Sequence, residues 1–262
     1  MNRFLSTTAL VLIAGTLVGQ RQPETVYPFR AADSSPRIAK LRSDITKEGA
    51  AAVDQFWNEV RMNGAPLIES IPDDNHSLVT FVWRGSAEAK NVVITDGVSV
   101  GVGGVDPLNS EMLRINDTDI WYRTYDVRND ARFTYSLSEN DPLALFTDPN
   151  RKSNSKADPL NPHKSATGQT YVELSAAPPQ PWITPPSPAL SGKLENTSVK
   201  NFTVSVYTPV NFQRAGGQYP LVVLMGGRTY LNFTSVPATL DNLIAEKRIP
   251  FCCCRGRERQ QR

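Results

Sequence analysis

The sequence predicts an α+β protein in two parts, a β-sandwich followed by the start of an α/β domain. The first part contains short runs of alternating apolar residues, separated by turns rich in Gly, Asn and Asp. The second part contains a continuous apolar run, a Gly-Gly turn and a segment with apolar residues at helical spacing. A proline-rich stretch, which is too stiff for a helix or a central strand, lies between the two parts.

Length and composition fit one complete globular core and part of a second. The chain has 262 residues, of which 40% are hydrophobic and 21% are charged. The net charge of +2 comes from the tail, because the last eight residues hold four Arg and one Glu. The preceding residues carry 24 basic and 25 acidic groups, so the composition does not support a nucleic-acid partner.

The cysteines predict neither a disulfide framework nor a metal site. All three are consecutive, at positions 252–254, and the rest of the chain has none. Zinc sites space their ligands by two or more residues, so that the side chains can converge on the ion. We therefore expect no metal and no cofactor in this chain.

The first residues have the pattern of a secretory signal peptide. A positive charge at Arg3 precedes an apolar run over 4–19, which ends in small residues before a polar segment. The run is shorter than the ~20 residues of a membrane span, so a permanent anchor is the weaker alternative. We assign residues 1–20 as the signal peptide and expect a periplasmic or secreted protein without a stable membrane span.

Residues 21–45 are polar and are predicted to be a lead-in, that is, a segment that precedes the first domain. Residues 46–147 form the predicted β-sandwich domain. This domain opens with an amphipathic helix over 46–63, in which Phe56 and Trp57 are core anchors and Gly64 is the C-terminal cap. Ala52 and Val60 complete the apolar face of that helix. Strands are predicted at 78–83, 91–95, 111–115, 119–127 and 131–137.

The connector and the second part follow. Residues 148–197 are a polar and Pro-rich connector with a short strand at 171–174, and residues 198–250 start the α/β domain. This domain has a predicted strand at 198–207, an apolar strand at 221–225 typical of burial on both faces, and a helix at 236–247. Residues 251–262 form an aberrant tail.

Several short pieces in a fixed order give residues 56–250 a resemblance to the enterochelin (ferric enterobactin) esterase family. They lie at 79–84, 122–127, 158–162, 206–209, 219–224 and 240–246. The resemblance implies an immunoglobulin-like sandwich that helps to cover the active site of a C-terminal α/β-hydrolase. It also implies a small-molecule ester as the partner, in the best-known members a trilactone siderophore, so that iron would enter only as part of a ferric siderophore substrate.

The resemblance also implies where the catalytic groups belong. Such a hydrolase uses a serine on a Gly-x-Ser-x-Gly elbow, a later histidine and an oxyanion hole. The loop after the strand at 221–225 would supply one oxyanion N–H, which makes Gly227 and Arg228 the oxyanion-hole candidates. The alternative is a glycine pair that only turns the chain, and relatives commonly have Asp-Gly where this chain has Gly226 and Gly227. The elbow and the histidine are expected after residue 250, so we expect no catalytic residue in this chain and no ester hydrolysis.

Three side chains are candidates for contact with a ligand. Trp83, Trp121 and Tyr122 are candidates for a lid over the substrate. They would also be the ligand contacts in the alternative function, a non-catalytic exported β-sandwich that binds a carbohydrate or an aromatic molecule. Trp121 and Tyr122 are adjacent in a strand, so they face opposite sides and some of these aromatics must belong to a core.

Two other features are expected to be incidental. Gly97, Ser99 and Gly101 fit the elbow motif literally, but the glycine-rich continuation could not form the helix that an elbow requires. His76 and His163 lie among turn residues and are expected to be solvated loop groups.

The tail lacks an apolar pattern at the point where the fold requires a second buried strand. Cysteine codons are TGY, and loss of one T before them converts the three codons to GYT, GYT and GYC. Those codons encode only Val or Ala. We therefore expect a one-base frameshift, either genuine or introduced when the gene was read, and an alternative frame that continues to a Gly-x-Ser-x-Gly elbow.

Overall fold

The computed structural model describes residues 29–32, 35–73, 75–97, 104–165, 168–200, 202–213, 219–232 and 234–250, together with the backbone of 253–259. The predicted signal peptide and Ser99 lie outside these ranges. Within them, no helix has both the length and the apolar character that a membrane span requires.

Two helices, α1 (Pro36–Glu48) and α2 (Ala50–Asn63), stand where one helix was predicted. The predicted start at residue 46 was wrong, because α1 begins inside the segment that was expected to be a lead-in. The Ser35 hydroxyl caps α1 by accepting the N–H of Ile38 at 3.1 Å. Gly49, at φ 60°, separates the helices, and Gly64, at φ 84°, ends α2 as predicted.

Two antiparallel sheets follow. Their strands are β1 (Phe29–Ala32), β2 (Leu67–Ser70), β3 (His76–Arg84), β4 (Val92–Asp96), β5 (Leu113–Arg114), β6 (Ile120–Arg128), β7 (Arg132–Glu139) and β8 (Thr170–Glu173). The larger sheet has the order β1-β6-β3-β2, with β5 paired to β6, and the smaller sheet has the order β4-β7-β8. All five strands predicted for this part are present, although the one predicted at 111–115 keeps only two residues, and β1 and β2 were missed.

Two cores hold this part, which we call the β domain (β1–β8 with α1 and α2). One lies between the sheets, where the Phe81 ring of β3 meets the Tyr135 ring of β7 edge-on at 4.7 Å. The other lies between the larger sheet and the helices, where Phe56 and Trp57 are buried as predicted. The larger sheet is therefore the middle of three layers, and both its faces are apolar.

The second part, which we call the α/β part, contains β9 (Lys193–Val199), β10 (Phe202–Thr208), β11 (Leu221–Met225), α3 (Gly227–Asn232), α4 (Val236–Ala245) and β12 (Cys253–Arg259). Its strands form a mixed sheet in the order β11-β12-β10-β9. The segment predicted as one strand at 198–207 contains the end of β9 and most of β10, which form a hairpin with a turn at Lys200, whose φ is 54°. Strands β11 and β12 are parallel and are joined through helices, which makes a crossover unit of the α/β class.

Strand β11 is exposed, contrary to the prediction that it is buried on both faces. Leu221 is 61% exposed, Val223 is 51% exposed and Met225 is 67% exposed. The reason is its position, since β11 is an edge strand and pairs with β12 alone among the described strands. An apolar edge strand of this kind promotes association between chains.

Replacing Val223 by lysine is therefore expected to reduce self-association of the purified chain. A charge on an edge strand opposes edge-to-edge pairing, and light scattering at micromolar concentration should fall by at least about twofold. Leu190→Lys is the matched control, because Leu190 is 45% exposed and lies outside the sheet. Equal scattering from the two variants would show that β11 does not drive the association.

The Pro-rich stretch at 178–188, which we call the strap, is held against α4 and its C-terminal end. Asn242 donates its side-chain N–H to the carbonyl oxygens of Trp182, at 2.9 Å, and Thr184, at 2.8 Å. The Trp182 indole donates to Glu246 at 2.9 Å, and the Arg248 guanidinium lies 4.7 Å from its ring centroid. The strap therefore docks on the α/β part instead of spanning solvent.

Candidate functional site

The structure separates the three candidate aromatic residues. Trp121 and Tyr122 lie on opposite faces of β6, as their alternation predicted, and they are buried in different cores, with 6% and 3% of their surface exposed. The Tyr122 hydroxyl accepts a hydrogen bond from Arg42 at 2.8 Å, and the Arg114 guanidinium lies 5.8 Å from the Trp121 ring. Neither ring presents a free face to a ligand in this arrangement, because protein atoms surround both.

Trp83 is only partly buried and lines a cavity of about 370 Å³. Its indole N–H donates to Glu139 Oε2 at 2.6 Å. Burial raises the pKa of Glu139, but hydrogen bonds from Ser86 and Trp83 outweigh it and hold that pKa below its usual value. Of the three predicted aromatic residues, Trp83 alone keeps part of its ring beside a cavity.

The oxyanion-hole candidates lie at the end of β11. Gly226 turns the chain at φ 78°, and Gly227 begins α3. The backbone N–H groups of Gly227 and Arg228 belong to the first turn of this helix, where no acceptor exists within the helix itself. That position is compatible with an oxyanion role, which stays a prediction.

A cavity of about 500 Å³, which we call the interdomain cavity, lies between the β domain and the α/β part. Its walls come from β7, β8, the connector, the strap and the residues before α4. The lining residues are Arg132, Phe133, Thr134, Lys164, Ser165, Tyr171, Glu173, Gln180, Ile183, Thr184, Pro185, Thr234 and Ser235. The volume lies in the range of small-molecule sites, roughly 300–1,000 Å³.

One ion pair fixes the cationic side of the interdomain cavity. Arg132 donates through Nε to Glu173 Oε2 at 2.7 Å and through a terminal nitrogen to the carbonyl oxygen of Pro178 at 2.8 Å. The hydrogen bond from Arg132 lowers the pKa of Glu173, and the same bond raises the pKa of Arg132. Both groups are therefore charged at neutral pH, and Arg132 ties the β domain to the first residue of the strap.

A buried polar network holds the connector against β7. The Tyr135 hydroxyl donates to Asp158 Oδ2 at 2.7 Å, and the N–H of Leu160 donates to Asp158 Oδ1 at 2.8 Å. Asn161 donates to the Tyr135 hydroxyl and to the carbonyl oxygen of Tyr171, both at 3.0 Å. Burial raises the pKa of Asp158, and burial together with the Asp158 charge raises the pKa of Tyr135.

Both histidines contact other side chains, whereas the sequence predicted solvated loop groups. His76 begins β3, and its Nδ1 lies 3.1 Å from Asp126 Oδ1 and 3.5 Å from Asp73 Oδ2. The His163 ring lies 5.6 Å from the Tyr171 ring. Both histidines belong to the β domain and its connector, and the described residues contain no cluster of three or more side chains suited to a metal ion.

The sequence of residues 78–183 matches the family described as the N-terminal domain of enterochelin esterase. These residues include most of β3, all of β4–β8 and the first part of the strap, so the match covers the C-terminal part of the β domain and much of the lining of the interdomain cavity. Residues 78–183 of the β domain and the strap are therefore similar to the N-terminal domain of enterochelin esterases. This agrees with the resemblance carried by the short sequence pieces.

A curated relative shows a similarity to the same family. The iron(III) enterobactin esterase of Yersinia enterocolitica is 30% identical to the chain over 91 residues. The matched segment amounts to 33% of this chain and 26% of that protein. The comparison therefore concerns about a third of this chain and about a quarter of that protein.

Solved enterobactin esterases share the fold. The enzyme from Shigella flexneri, crystallised in the presence of enterobactin, has a TM-score of 0.53 and 23% identity, with 77% of this chain and 56% of that chain covered. The ferric enterobactin esterase from Salmonella typhimurium has a TM-score of 0.54 and 20% identity, with 78% and 58% covered. The chain thus spans somewhat more than half the length of these structures.

Sequence reasoning missed the interdomain cavity and the Asp158 network. Both assemble residues from segments that lie far apart along the chain, and each segment by itself reads as an ordinary strand, turn or linker. The one sequence feature that indicated part of them was the motif at 158–162, which contributed to the resemblance but had no assigned role.

Proposed function

We propose that this chain is part of an exported serine esterase of the enterochelin esterase type. In this proposal an immunoglobulin-like sandwich covers the active site of an α/β-hydrolase, which cleaves the carboxylic esters of a siderophore trilactone or a related compound. The observation that carries the proposal is the order of units in one chain. A segment that matches the N-terminal domain of enterochelin esterase is followed, after the strap, by an antiparallel hairpin and a parallel crossover unit with a glycine turn.

The position of the glycine turn supports the proposed chemistry. Ester hydrolysis develops negative charge on the carbonyl oxygen, and pre-positioned N–H donors stabilise that charge. Gly227 and Arg228 are the proposed donors, since both lie at the carboxyl end of a parallel strand. The interdomain cavity is the proposed substrate space, with its walls supplied by both parts of the chain.

We also propose that residues 251–262 are read out of frame. Strand β12 pairs with β10 on one side and with β11 on the other, so it occupies an interior position in the sheet. Interior strands of parallel sheets are apolar runs rich in Val and Ile. The segment Cys253–Arg259 instead contains three Arg and one Glu, whereas the shifted frame supplies Val or Ala at the cysteine codons.

An ester hydrolysis assay tests this function. The 262-residue chain is expected to show no turnover of p-nitrophenyl butyrate above buffer, and a chain extended in the shifted frame is expected to hydrolyse it. Replacement of the elbow serine in the extended chain should lower the rate by more than about 1,000-fold.

Ser99→Ala in the 262-residue chain is the control for the literal elbow motif. Turnover by this chain that survives Ser99→Ala would contradict the predicted lack of activity. Turnover that disappears in Ser99→Ala would assign the nucleophile to residues 97–101. An extended chain without an elbow, or without activity, would overturn the proposed function.

The binding-module alternative has less support. It needs exposed aromatic faces, and Trp121 and Tyr122 are buried. Trp83 is the remaining aromatic candidate, and its N–H is already paired with Glu139.

A further inference from the structure

The cavity beside Trp83, which we call the Trp83 cavity, lies apart from the interdomain cavity. Its volume is about 370 Å³, and its lining residues are Trp83, Leu137, Glu139, Asn140, Asn154 and Lys156. None of these six residues lines the interdomain cavity. Glu139 and Arg132, one from each cavity, are the two ends of β7, and a strand rises ~3.4 Å per residue, so they lie roughly 24 Å apart.

One wall of the Trp83 cavity is the indole ring of Trp83. This ring is half-buried and packs against the core between the two sheets. Its N–H donates to Glu139 Oε2 at 2.6 Å. An indole N–H lies in the plane of the ring, so this hydrogen bond uses the edge of the ring and not its face. The ring is therefore fixed in orientation beside the cavity, and its face is suited to apolar contact.

Two polar side chains at the end of β7 are also held in place. The Glu139 carboxylate accepts hydrogen bonds from Trp83 and from the backbone N–H of Ser86, the latter at 3.4 Å. Asn140 Oδ1 accepts the backbone N–H of Lys90 at 2.8 Å. The same amide has a donor group, Nδ2, so these two side chains bring an acceptor and a donor to the cavity.

The connector supplies the last two polar side chains, Asn154 and Lys156. The backbone of Lys156 pairs with that of Leu137 in both directions, at 2.8 and 2.9 Å, which holds the connector beside β7. The side chains of Asn154 and Lys156 are exposed and add an amide and an ammonium group. Among the described residues that line the cavity, Glu139 and Lys156 carry opposite charges that sum to zero.

This set of groups distinguishes between classes of ligand. A purely apolar ligand would remove the charged and amide groups from water without offering them partners, which costs free energy. A small ion of either sign would meet a like charge, at Glu139 or at Lys156. A neutral saccharide suits both sides of the cavity, because its hydroxyl groups donate and accept hydrogen bonds and the C–H face of a sugar ring packs on an indole.

We propose that the Trp83 cavity is a saccharide-binding site for one or two hexose units of a neutral glycan. The sugar ring packs on Trp83, and its hydroxyl groups pair with Glu139, Asn140 and Lys156. The volume lies at the lower end of the range of small-molecule sites, roughly 300–1,000 Å³. The inference goes beyond the proposed esterase function and does not depend on it, because the whole site belongs to the β domain and its connector.

Saturation-transfer difference NMR on the 262-residue chain tests the site. The probes are maltotriose, cellotriose and mannotriose, which are neutral and differ in the sugar or in the configuration of its linkage. At least one of them is expected to bind with a dissociation constant below about 10 mM and to receive saturation at its ring C–H protons.

Two variants locate the binding. Trp83→Ala removes the ring and is expected to weaken binding of that probe by at least about tenfold. Lys156→Met removes a charged donor, keeps most of the aliphatic chain and is expected to weaken binding by at least about threefold. Lys152→Met is the matched control, because Lys152 is also exposed, lies in the same connector and does not line the cavity. Ile183→Glu changes the interdomain cavity and should leave binding unchanged.

The proposal is overturned if none of the three probes binds, or if Trp83→Ala and Lys156→Met both bind as the wild type does. It is also overturned if Lys152→Met weakens binding as much as Lys156→Met, or if Ile183→Glu weakens it as much as Trp83→Ala. Thermal melting of each variant shows whether the fold is kept, and Lys156→Met with its control decides the result if Trp83→Ala does not fold.

Discussion

Replacing Trp57 by alanine is expected to lower the free energy of unfolding of the β domain by about 3–5 kcal/mol, the usual range for removal of a buried Trp or Phe side chain. Trp57 is 1% exposed, and its ring lies 5.1 Å from the Phe56 ring. Its indole N–H donates to Asp119 at 2.8 Å, and the Arg84 guanidinium lies 5.7 Å from the ring. The substitution would leave a cavity between α2 and the larger sheet, and would remove one partner of Asp119.

Urea unfolding followed by circular dichroism measures this loss. Trp57→Phe separates packing from hydrogen bonding, since it keeps most of the ring, and should cost only about 1 kcal/mol because Arg84 still pairs with Asp119. Met62→Ala, on the same helix and 76% exposed, is the control and should change the free energy by less than about 0.5 kcal/mol. If Trp57→Ala and Met62→Ala unfolded at the same urea concentration, α2 would not be docked as described.

Replacing Asp158 by alanine is expected to lower the free energy of unfolding by about 1–3 kcal/mol, because buried donors would lose their acceptor. Asp158 is 1% exposed and accepts hydrogen bonds from the Tyr135 hydroxyl and the Leu160 N–H. Asp158→Asn keeps a side-chain acceptor of the same shape and should cost less than Asp158→Ala at neutral pH. The comparison of the two variants separates the loss of an acceptor from the loss of a charge.

The pH dependence of Asp158→Asn gives a second measurement on the same group. Burial raises the pKa of Asp158 above its ordinary value of 3.8, so the folded chain holds this proton more tightly than the unfolded chain. Protonated Asp158 therefore stabilises the folded chain. This contribution to the free energy of unfolding is complete below pH 3.8, and it is lost as the pH rises through the pKa of Asp158 in the folded chain. The free energy of unfolding of Asp158→Asn, measured relative to that of the wild type, should therefore increase as the pH rises from about 4 to about 7.

Asp130→Asn is the control for this profile, and its pH dependence is expected to have the opposite sign. Hydrogen bonding by Arg128 lowers the pKa of Asp130, which is exposed, so any stability it contributes is lost as the pH falls. Urea midpoints across the pH range compare the two variants. Parallel profiles for the wild type and Asp158→Asn would show that Asp158 does not titrate differently in the folded and unfolded chains.

Particular elements show why some of the fold could be predicted and some could not. The helix face of Phe56 and Trp57 and the alternation of β3 and β6 follow from periods of 3.6 and 2 that the residues themselves carry. Strands β1 and β2 have four residues each, too few for a period to stand out. Helix α1 was missed because its buried residues, Ile38 and Leu41, are spaced among charged ones in a segment of low apolar content.

The sequence also predicted that the adjacent residues Trp121 and Tyr122 face opposite sides of their strand, but not that both are buried. Period 2 places Trp121 and Tyr122 on opposite faces of β6. Their burial depends on what covers each face, and that is the smaller sheet on one side and α1 with α2 on the other. Neither cover can be inferred from the strand itself.

The sequence by itself determined the mixed α and β class, the anchors of the helix face and the resemblance to the enterochelin esterase family, because each depends on local periodicity or on short ordered motifs. The tertiary structure alone decided that β11 is an exposed edge strand, that the strap docks on α4, and that Arg132, Tyr171 and Ile183 line one cavity. These features depend on contacts between residues tens of positions apart, and no local pattern of side chains specifies which distant segment will lie opposite another.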